Sequence, residues 1–186
     1  MSVMHLSYYP AEVLLQPASN VTDFDETLRR LVDDMFDTMY AAPGVGLAAP
    51  QVGLSKRLFV MDCSNRKSAA ARLAIANPEI VYQAGEQVDY EGCLSVPGYS
   101  YKLARPMNVI VRGQDLNGDQ IEYDAEGLEA RCVLHETDHL NGILYVSRLS
   151  ALKRQQILRS IKKKIKADTW PEVKIPSDES ISLKFG

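Results

Sequence analysis

Cysteine, histidine and tryptophan are scarce in this sequence, and it has no long apolar run. The 186 residues include three cysteines, an odd and sparse set that does not suit a disulfide framework, so reduced thiols are expected. No stretch is long enough to span a bilayer. The first 16 residues lack the basic region and the sustained apolar segment of a signal peptide. We therefore expect a cytoplasmic protein, or the mature form of an organellar one, without a membrane partner.

An excess of positive charge is also missing. Lysine and arginine number 21 against 24 acidic residues, for a formal net charge of -3 at pH 7. A DNA-binding surface needs a strong positive field, so DNA is not an expected partner. The length and the apolar share of 46% suit one globular core. We expect a single catalytic domain over residues 1–168 and a polar tail over 169–186.

Apolar residues recur at helical spacing in three segments. They predict helices over 28–39, 125–141 and 152–166, and Thr22, Asp23 or Asp25 can cap the first. Short β-like runs lie at 57–62, 74–82, 87–94, 108–112 and 121–123, with an Asn117-Gly118 turn before the last. Because strands and helices do not alternate regularly, we expect an α+β fold. Antiparallel strands would pack around the central helix, with an N-terminal helix and a C-terminal helix beside them.

The central predicted helix contains His135, Glu136 and His139, which form an HExxH motif. Residues four apart lie on the same helix face, so both imidazoles can bind one metal ion. Glu136, next to the first ligand, can act as general base on a water molecule without binding the metal itself. The alternative is an ordinary helix in which both histidines make only local hydrogen bonds.

Two histidines leave such a metal one protein ligand short, because catalytic sites typically have three. Cys132 shares a helix face with His135 and His139, but the three residues span roughly 10 Å along the axis. Metal bonds are only about 2.0 to 2.3 Å long, so these three groups cannot easily converge on one ion. Cys132 is better interpreted as a small buried residue beside the site. Cys93 is the natural candidate for the third ligand, although most buried cysteines in strands have no such role.

Three separated segments resemble the motifs of bacterial-type peptide deformylases, in that family's order along the chain. They are residues 44–51 (GVGLAAPQ), 91–95 (EGCLS) and 135–140 (HETDHL). The resemblance extends over residues 10–148. It implies a metal-dependent enzyme that hydrolyses the N-formyl group from the initiator formyl-methionine of nascent polypeptides and releases formate.

The same resemblance implies roles for individual residues at the reacting centre. Cys93, His135 and His139 would bind one divalent ion, Fe²⁺ in the cell with Zn²⁺ as the alternative. Glu136 would be the catalytic acid and base. Gln51 and the backbone N–H of Leu94 would donate hydrogen bonds to the formyl oxygen as its charge develops.

Substrate contacts follow from the same family pattern. Backbone groups of Val45 and Gly46 would bind an extended peptide as an added strand, a mode with little sequence preference. Val45, Leu128 and Cys132 would contribute to an apolar pocket for the methionine side chain. For Leu128 a place in the ordinary core is an equally good interpretation.

Other functions compete with this hypothesis. Residues 44–49 also match GxGxxA, but a dinucleotide site needs a strand before and a helix after, and Pro50 obstructs that helix. A zincin-like metallopeptidase would take a ligand from downstream, where the candidates are Glu172, Asp178 and Glu179. An inactive metal-binding or peptide-binding module is the third possibility. Glu136 and Gln51 argue against it, since a binder needs neither a proton acceptor nor an oxyanion donor.

Supporting residues are also predicted around the site. Arg105, Glu91 and Asp138 are expected to form an ion-pair cluster. Leu134 stands where many family members have Gln, and we expect a modest change in packing from it. The last helix is either a solvated basic face or a contact to ribosomal RNA, through Lys162, Lys163, Lys164 and Lys166. A monomer and a homodimer are both compatible with the sequence.

Overall fold

The structure is a computed structural model that describes residues 2–64 and 71–171. Its helices are α1 (Glu26–Ala41), α2 (Leu128–Leu140) and α3 (Ala151–Lys166). Its strands are β1 (Gly46–Ala48), β2 (Leu58–Met61), β3 (Leu73–Ala84), β4 (Gln87–Gly92), β5 (Ser100–Arg105), β6 (Asn108–Gln114) and β7 (Gln120–Glu126). The predicted α+β class is confirmed. No helix in these ranges has the length and apolarity that a membrane span requires.

The strands form two antiparallel sheets. One has five strands in the order β1-β2-β3-β6-β7, and the other consists of β4 and β5 alone. The predicted turn at Asn117 and Gly118 joins β6 to β7, and Gly118 has the positive φ of 86° that such a turn favours. Helix α2 packs against β1, β2, β6 and β7, so the larger sheet holds it in place.

Helix α2 is buried along nearly its whole length. Every residue from Ala130 to Leu140 is buried, including the polar ones. Its apolar side joins Val109, Val111 and Ala125 of the sheet in one core cluster. Since buried polar groups cost free energy unless they are paired, the polar residues of this helix need partners from other elements.

Helix α1 follows the sequence prediction and extends it by two residues at each end. Asp25 is the cap among the three candidates, because its carboxylate accepts a hydrogen bond from Leu28 N at 3.0 Å. The apolar face of α1 packs on β1 and β2 and forms a second core cluster with them. This packing places β1, the short strand that follows Gly44, next to α2.

Several predicted boundaries were wrong. Helix α2 begins at Leu128 rather than 125, because β7 continues to Glu126 and Gly127 turns the chain with a φ of 59°. The segment 44–51, predicted as a loop, contains β1 and a 3₁₀ turn at Ala49–Val52. Strand β5 was not predicted at all. Strand β4 ends at Gly92, so Cys93 and Leu94 lie just beyond it rather than within it.

The C-terminal region is described only to residue 171. The predicted polar tail over 169–186 therefore lies mostly outside the described residues. The same is true of Glu172, Asp178 and Glu179, the downstream candidates of the metallopeptidase hypothesis.

Candidate metal centre and cleft

Three potential metal donors converge between β4 and α2. The donor atoms of Cys93, His135 and His139 all lie within 4.8 Å of one another. His135 and His139 are one helical turn apart on α2, with ring centroids 4.9 Å apart and ring planes at 74°. Cys93 comes from the turn after β4, and its Sγ lies 3.2 Å from His139 Nε2. The structure therefore brings together the three residues that the sequence motifs indicated.

These donors fit a mononuclear metal ion of the zinc or ferrous type. On a shared tetrahedral ion a sulfur and an imidazole nitrogen would be about 3.6 Å apart, close to the observed contact. His135 Nδ1 lies 2.7 Å from Glu91 Oε1, which leaves its Nε2 for a metal. A thiolate and two imidazoles are a donor set that both ions accept. Cys132 does not belong to this cluster, as the spacing argument predicted.

Burial sets the charge state of the groups around the donors. Burial lowers the pKa of His139 well below its usual value, and the neighbouring His135 adds to the effect. A lowered pKa favours the neutral imidazole, which is the form that binds a metal ion. Burial raises the pKa of Glu136 to about 7, and a cation at the neighbouring donors would lower it again. Glu136 Oε2 is buried and has no hydrogen-bond partner among the described residues.

A network of buried charges surrounds the histidines. Arg105 binds Glu91 through Nη2 at 2.6 Å and Nε at 3.0 Å, and it binds Asp138 through Nη1 at 2.8 Å. The predicted cluster of these three residues is thus present. Burial by itself would raise the pKa of Glu91, but hydrogen bonds from His135 and Arg105 outweigh it and lower the pKa. Sequence reasoning missed two further members, Arg131 on Glu91 and Arg148 on Asp138.

Gln51 is held with its amide directed at the donors. Its Oε1 accepts a hydrogen bond from Ala48 N at 2.8 Å, which fixes the side chain within its own 3₁₀ turn. Its Nε2 lies 3.3 Å from Ser95 Oγ and 3.7 Å from Cys93 Sγ. An amide N–H group therefore faces the centre, in a residue that is 1% exposed.

A cleft of about 630 Å³ opens beside these residues. The four residues predicted to contact substrate, Val45, Gly46, Leu128 and Cys132, all lie on its wall. Gln51, Leu94, Cys93, His135 and Glu136 line the same cleft. Leu128 is 52% exposed there, so it is not an ordinary core residue. Tyr90 and Tyr99 also line the cleft, and nothing in the sequence motifs had indicated them.

Gly46 is in close contact with α2 at the cleft wall. A Cβ at this position would overlap Oε1 of Glu136 and lie 2.6 Å from Cys132 Sγ. No side chain larger than hydrogen fits, because both neighbours belong to a buried helix. The glycine therefore allows β1 to lie against the face of α2 that contains Cys132 and Glu136.

Leu134 occupies a separate place on the far side of α2. It is 8% exposed and belongs to the core cluster between α2 and the larger sheet. It does not line the cleft that contains the donors. The expectation that it affects packing is consistent with this position.

Taken together, an HExxH helix, a third donor from another element and a buried carboxylate with one unpaired oxygen define a mononuclear metallohydrolase site. The comparisons with known proteins narrow this class. The family model described as Polypeptide deformylase matches residues 3–155. A peptide deformylase of Acidobacterium capsulatum is 48% identical over 170 residues, which cover 91% of this chain and 100% of that protein. One of Thermodesulfovibrio yellowstonii is 45% identical over 164 residues, 88% of this chain and 99% of that protein.

Solved structures give the same result. A peptide deformylase from Legionella pneumophila superposes with a TM-score of 0.83 at 44% identity, over 92% of this chain and 100% of that one. One from Ehrlichia chaffeensis, in complex with actinonin, gives a TM-score of 0.80 at 40% identity, over 88% and 98% of the two chains. The chain belongs to the peptide deformylase family.

Proposed function

We propose that the cleft hydrolyses the N-formyl group of formyl-methionyl polypeptides, the activity of the family, at one metal ion held by Cys93, His135 and His139. The observation that carries this proposal is the convergence of the three donors within 4.8 Å beside Glu136. A divalent ion bound there would supply a Lewis acid for the formyl carbonyl and for an attacking water molecule.

Glu136 is proposed as the general base and then the general acid. It accepts the proton of the attacking water through its unpaired Oε2 and delivers that proton to the departing amine. Its support is positional, since it lines the cleft one residue after His135 and its Oε2 has no hydrogen-bond partner among the described residues. Because Oε2 makes no structural hydrogen bond, this buried carboxylate is available to accept and donate the proton.

Gln51 and Leu94 are proposed to stabilise the negative charge that develops on the formyl oxygen. The Gln51 amide is preorganised by its bond to Ala48 N, so it needs no reorganisation when the charge appears. The backbone N–H of Leu94, directly after Cys93, would be the second donor. Gln51 Nε2 lies 3.7 Å from Cys93 Sγ and 3.3 Å from Ser95 Oγ, the residues on either side of Leu94, so both donors lie at the same end of the cleft.

The substrate would lie as an extended strand along the cleft wall. Val45 and Gly46 offer main-chain groups at the start of β1, and such contacts bind many sequences without discrimination. Leu128, Cys132 and the side chain of Val45 would receive the methionine. Their support is that all three line the cleft and that Val45 and Leu128 are exposed apolar residues.

The identity of the ion is a further part of the proposal. We infer Fe²⁺ as the working ion in the cell and Zn²⁺ as a substitute, as the family resemblance implies. The donor set accepts both ions, because selection in cells depends on geometry and on metal supply. Zinc in a purified sample would therefore leave the working metal undecided.

The cellular setting rests on the proposed substrate. Formyl-methionyl chains emerge from ribosomes, so a cytoplasmic location and a single catalytic domain over residues 1–168 are inferred, with helix α2 as its central element. Contact with ribosomal RNA would use the basic side of α3, where Lys162, Lys163 and Lys166 are exposed. Lys164 lies instead over the rings of Tyr99 and Trp170, at 4.8 and 5.6 Å. A monomer and a homodimer both suit this setting.

The alternatives lack comparable support. A zincin-like peptidase would need a third ligand downstream, whereas Cys93 lies with the two histidines here. An inactive binding module would not need a buried Glu136 with an unpaired Oε2, or the ordered amide of Gln51.

The proposal is tested by formate release. Fe²⁺-loaded protein is incubated anaerobically with a formyl-Met peptide, beside Glu136→Ala as the control that keeps the three metal donors. We expect formate from the wild type and almost none from the variant. No formate from the loaded wild type, or cleavage of an internal peptide bond instead, would defeat the proposed function.

A further inference from the structure

The three metal donors come from two separate parts of the fold. Cys93 directly follows β4 of the small sheet, whereas both histidines lie on α2. In the described part of the chain the small sheet shares no strand pairing with the larger sheet that holds α2. Short chain segments join β4 to β3 and β5 to β6, and side-chain contacts between β4, β5 and α2 further set the relative position of the sulfur and the imidazoles.

Arg131 makes a large share of these contacts from the helix side. Its side chain is 6% exposed. Its Nη1 donates to Glu91 Oε2 at 3.0 Å and to Leu103 O at 3.1 Å, and its Nη2 donates to Leu103 O at 3.1 Å and to Gln87 O at 3.5 Å. Every partner lies on β4 or β5. One buried guanidinium thus holds both strands of the small sheet against α2.

Arg131 is also connected to a metal donor through Glu91. The second oxygen of that carboxylate, Oε1, lies 2.7 Å from His135 Nδ1. Arg105 binds the same carboxylate from β5 and reaches α2 through Asp138. The two arginines therefore cross between sheet and helix in opposite directions. Both arginines bind Glu91. Arg105 does so from β5, whereas Arg131 does so from α2, the helix that also contains His135.

We propose that Arg131 is a positioning residue of the metal centre. It fixes the small sheet, and Cys93 with it, at the distance from α2 at which sulfur and imidazoles share one ion. It also holds Glu91 in place for the His135 Nδ1 contact. This inference rests on the proposed metal centre, and Arg131 acts through Glu91 and the backbone of the sheet rather than on the reacting atoms.

The test compares Arg131→Met and Arg131→Lys with the wild type. Met keeps most of the buried stem and removes every donor, whereas Lys keeps a point charge that can reach part of the partner set. Arg112→Met is the matched control, because Arg112 pairs with Glu122 on the surface, where both side chains are more than half exposed. Zn²⁺ affinity is measured by competition with a chromophoric chelator. The thiolate-to-metal absorption band is measured on Co²⁺-loaded protein, and unfolding is measured on metal-free protein.

We expect Arg131→Met to weaken Zn²⁺ binding about 10- to 100-fold, the usual effect of losing an outer partner of a metal ligand. The Co²⁺ thiolate band should shift or weaken, which a purely structural loss of stability would not cause. Arg131→Lys should recover part of the affinity, and Arg112→Met should match the wild type in every measurement.

Wild-type affinity and an unchanged Co²⁺ band in folded Arg131→Met would overturn the inference. If that variant does not fold, Arg131→Lys decides: reduced affinity with a changed band supports the inference, and wild-type values overturn it. None of these measurements uses a formyl peptide. A failure of the proposed function would appear separately, as a wild type that binds metal and releases no formate.

Discussion

Gly46 and Glu136 lie so close that the Cα of the glycine forms part of the packing around the carboxylate. A methyl group on residue 46 would overlap Glu136 Oε1. The position of the proposed general base is thus constrained by a residue of β1, a strand that contributes no side chain to the proposed proton transfer.

Gly46→Ala should therefore displace Glu136 without unfolding the protein. We expect kcat/KM to fall about 100-fold, because a shift of about 1 Å in a catalytic group has an effect of this size. The overpacked variant should lose about 1–3 kcal/mol of unfolding free energy. Steady-state kinetics and urea unfolding measure the two effects.

Gly92→Ala is the matched control for that variant. A Cβ at residue 92 would be 3.5 Å from its nearest neighbour, Tyr99 O, which is an ordinary contact. We expect kcat/KM near the wild-type value. An equal fall in kcat/KM in the two variants would show that any methyl group added near the cleft is harmful. That result would contradict a specific role for the contact between Gly46 and Glu136.

Gln51→Glu separates the two functions of the Gln51 side chain. The carboxylate can still accept the hydrogen bond from Ala48 N, but it offers no N–H to the formyl oxygen. We expect kcat to fall about 100- to 1000-fold, as for the loss of one oxyanion donor, with a smaller change in KM. Ser95→Ala removes only the Gln51 Nε2 contact at 3.3 Å and should keep most of the activity. A fully active Gln51→Glu would contradict the proposed donor role.

Arg105→Ala tests the buried charge network. Among the described residues, removal of this guanidinium leaves Glu91 paired with Arg131 and His135 and leaves Asp138 paired only with Arg148, and both carboxylate side chains are at most 8% exposed. Breaking a buried pair in this way costs about 3–5 kcal/mol of unfolding free energy. The exposed pair of Arg112 and Glu122 provides the control, and Arg112→Ala should cost no more than about 1 kcal/mol. Similar urea midpoints for the two variants, with unchanged metal retention, would contradict a supporting role for Arg105.

The parts of the site that follow from local rules could be predicted from the sequence. The HExxH spacing places His135 and His139 on one helix face, because a helix turns once in about 3.6 residues. The length of the Cys132, His135 and His139 stripe along the axis correctly excluded Cys132 from the donors. The Arg105 cluster was predicted because metal-bound histidines usually donate their second N–H group to a carboxylate or carbonyl that is itself held by other groups.

Other features depend on contacts between distant residues. Strand β1 consists of Gly46, Leu47 and Ala48, which have little strand propensity, and it is a strand because it pairs with β2. Arg131 looks like an ordinary helical arginine in the sequence, since its partners are 28 to 44 residues away. The place of Cys93 among the donors came from the family motif, because spacing alone could not identify it.

The central claim is that the sulfur of Cys93 and two imidazoles of α2 bind one ion. X-ray absorption at the zinc edge of Zn²⁺-loaded protein tests it directly. We predict one sulfur at about 2.3 Å together with nitrogen or oxygen donors at about 2.0–2.1 Å, two of them with the outer-shell pattern of imidazole. The sulfur contribution should disappear in Cys93→Ala. A first shell without sulfur in the wild type would contradict the account.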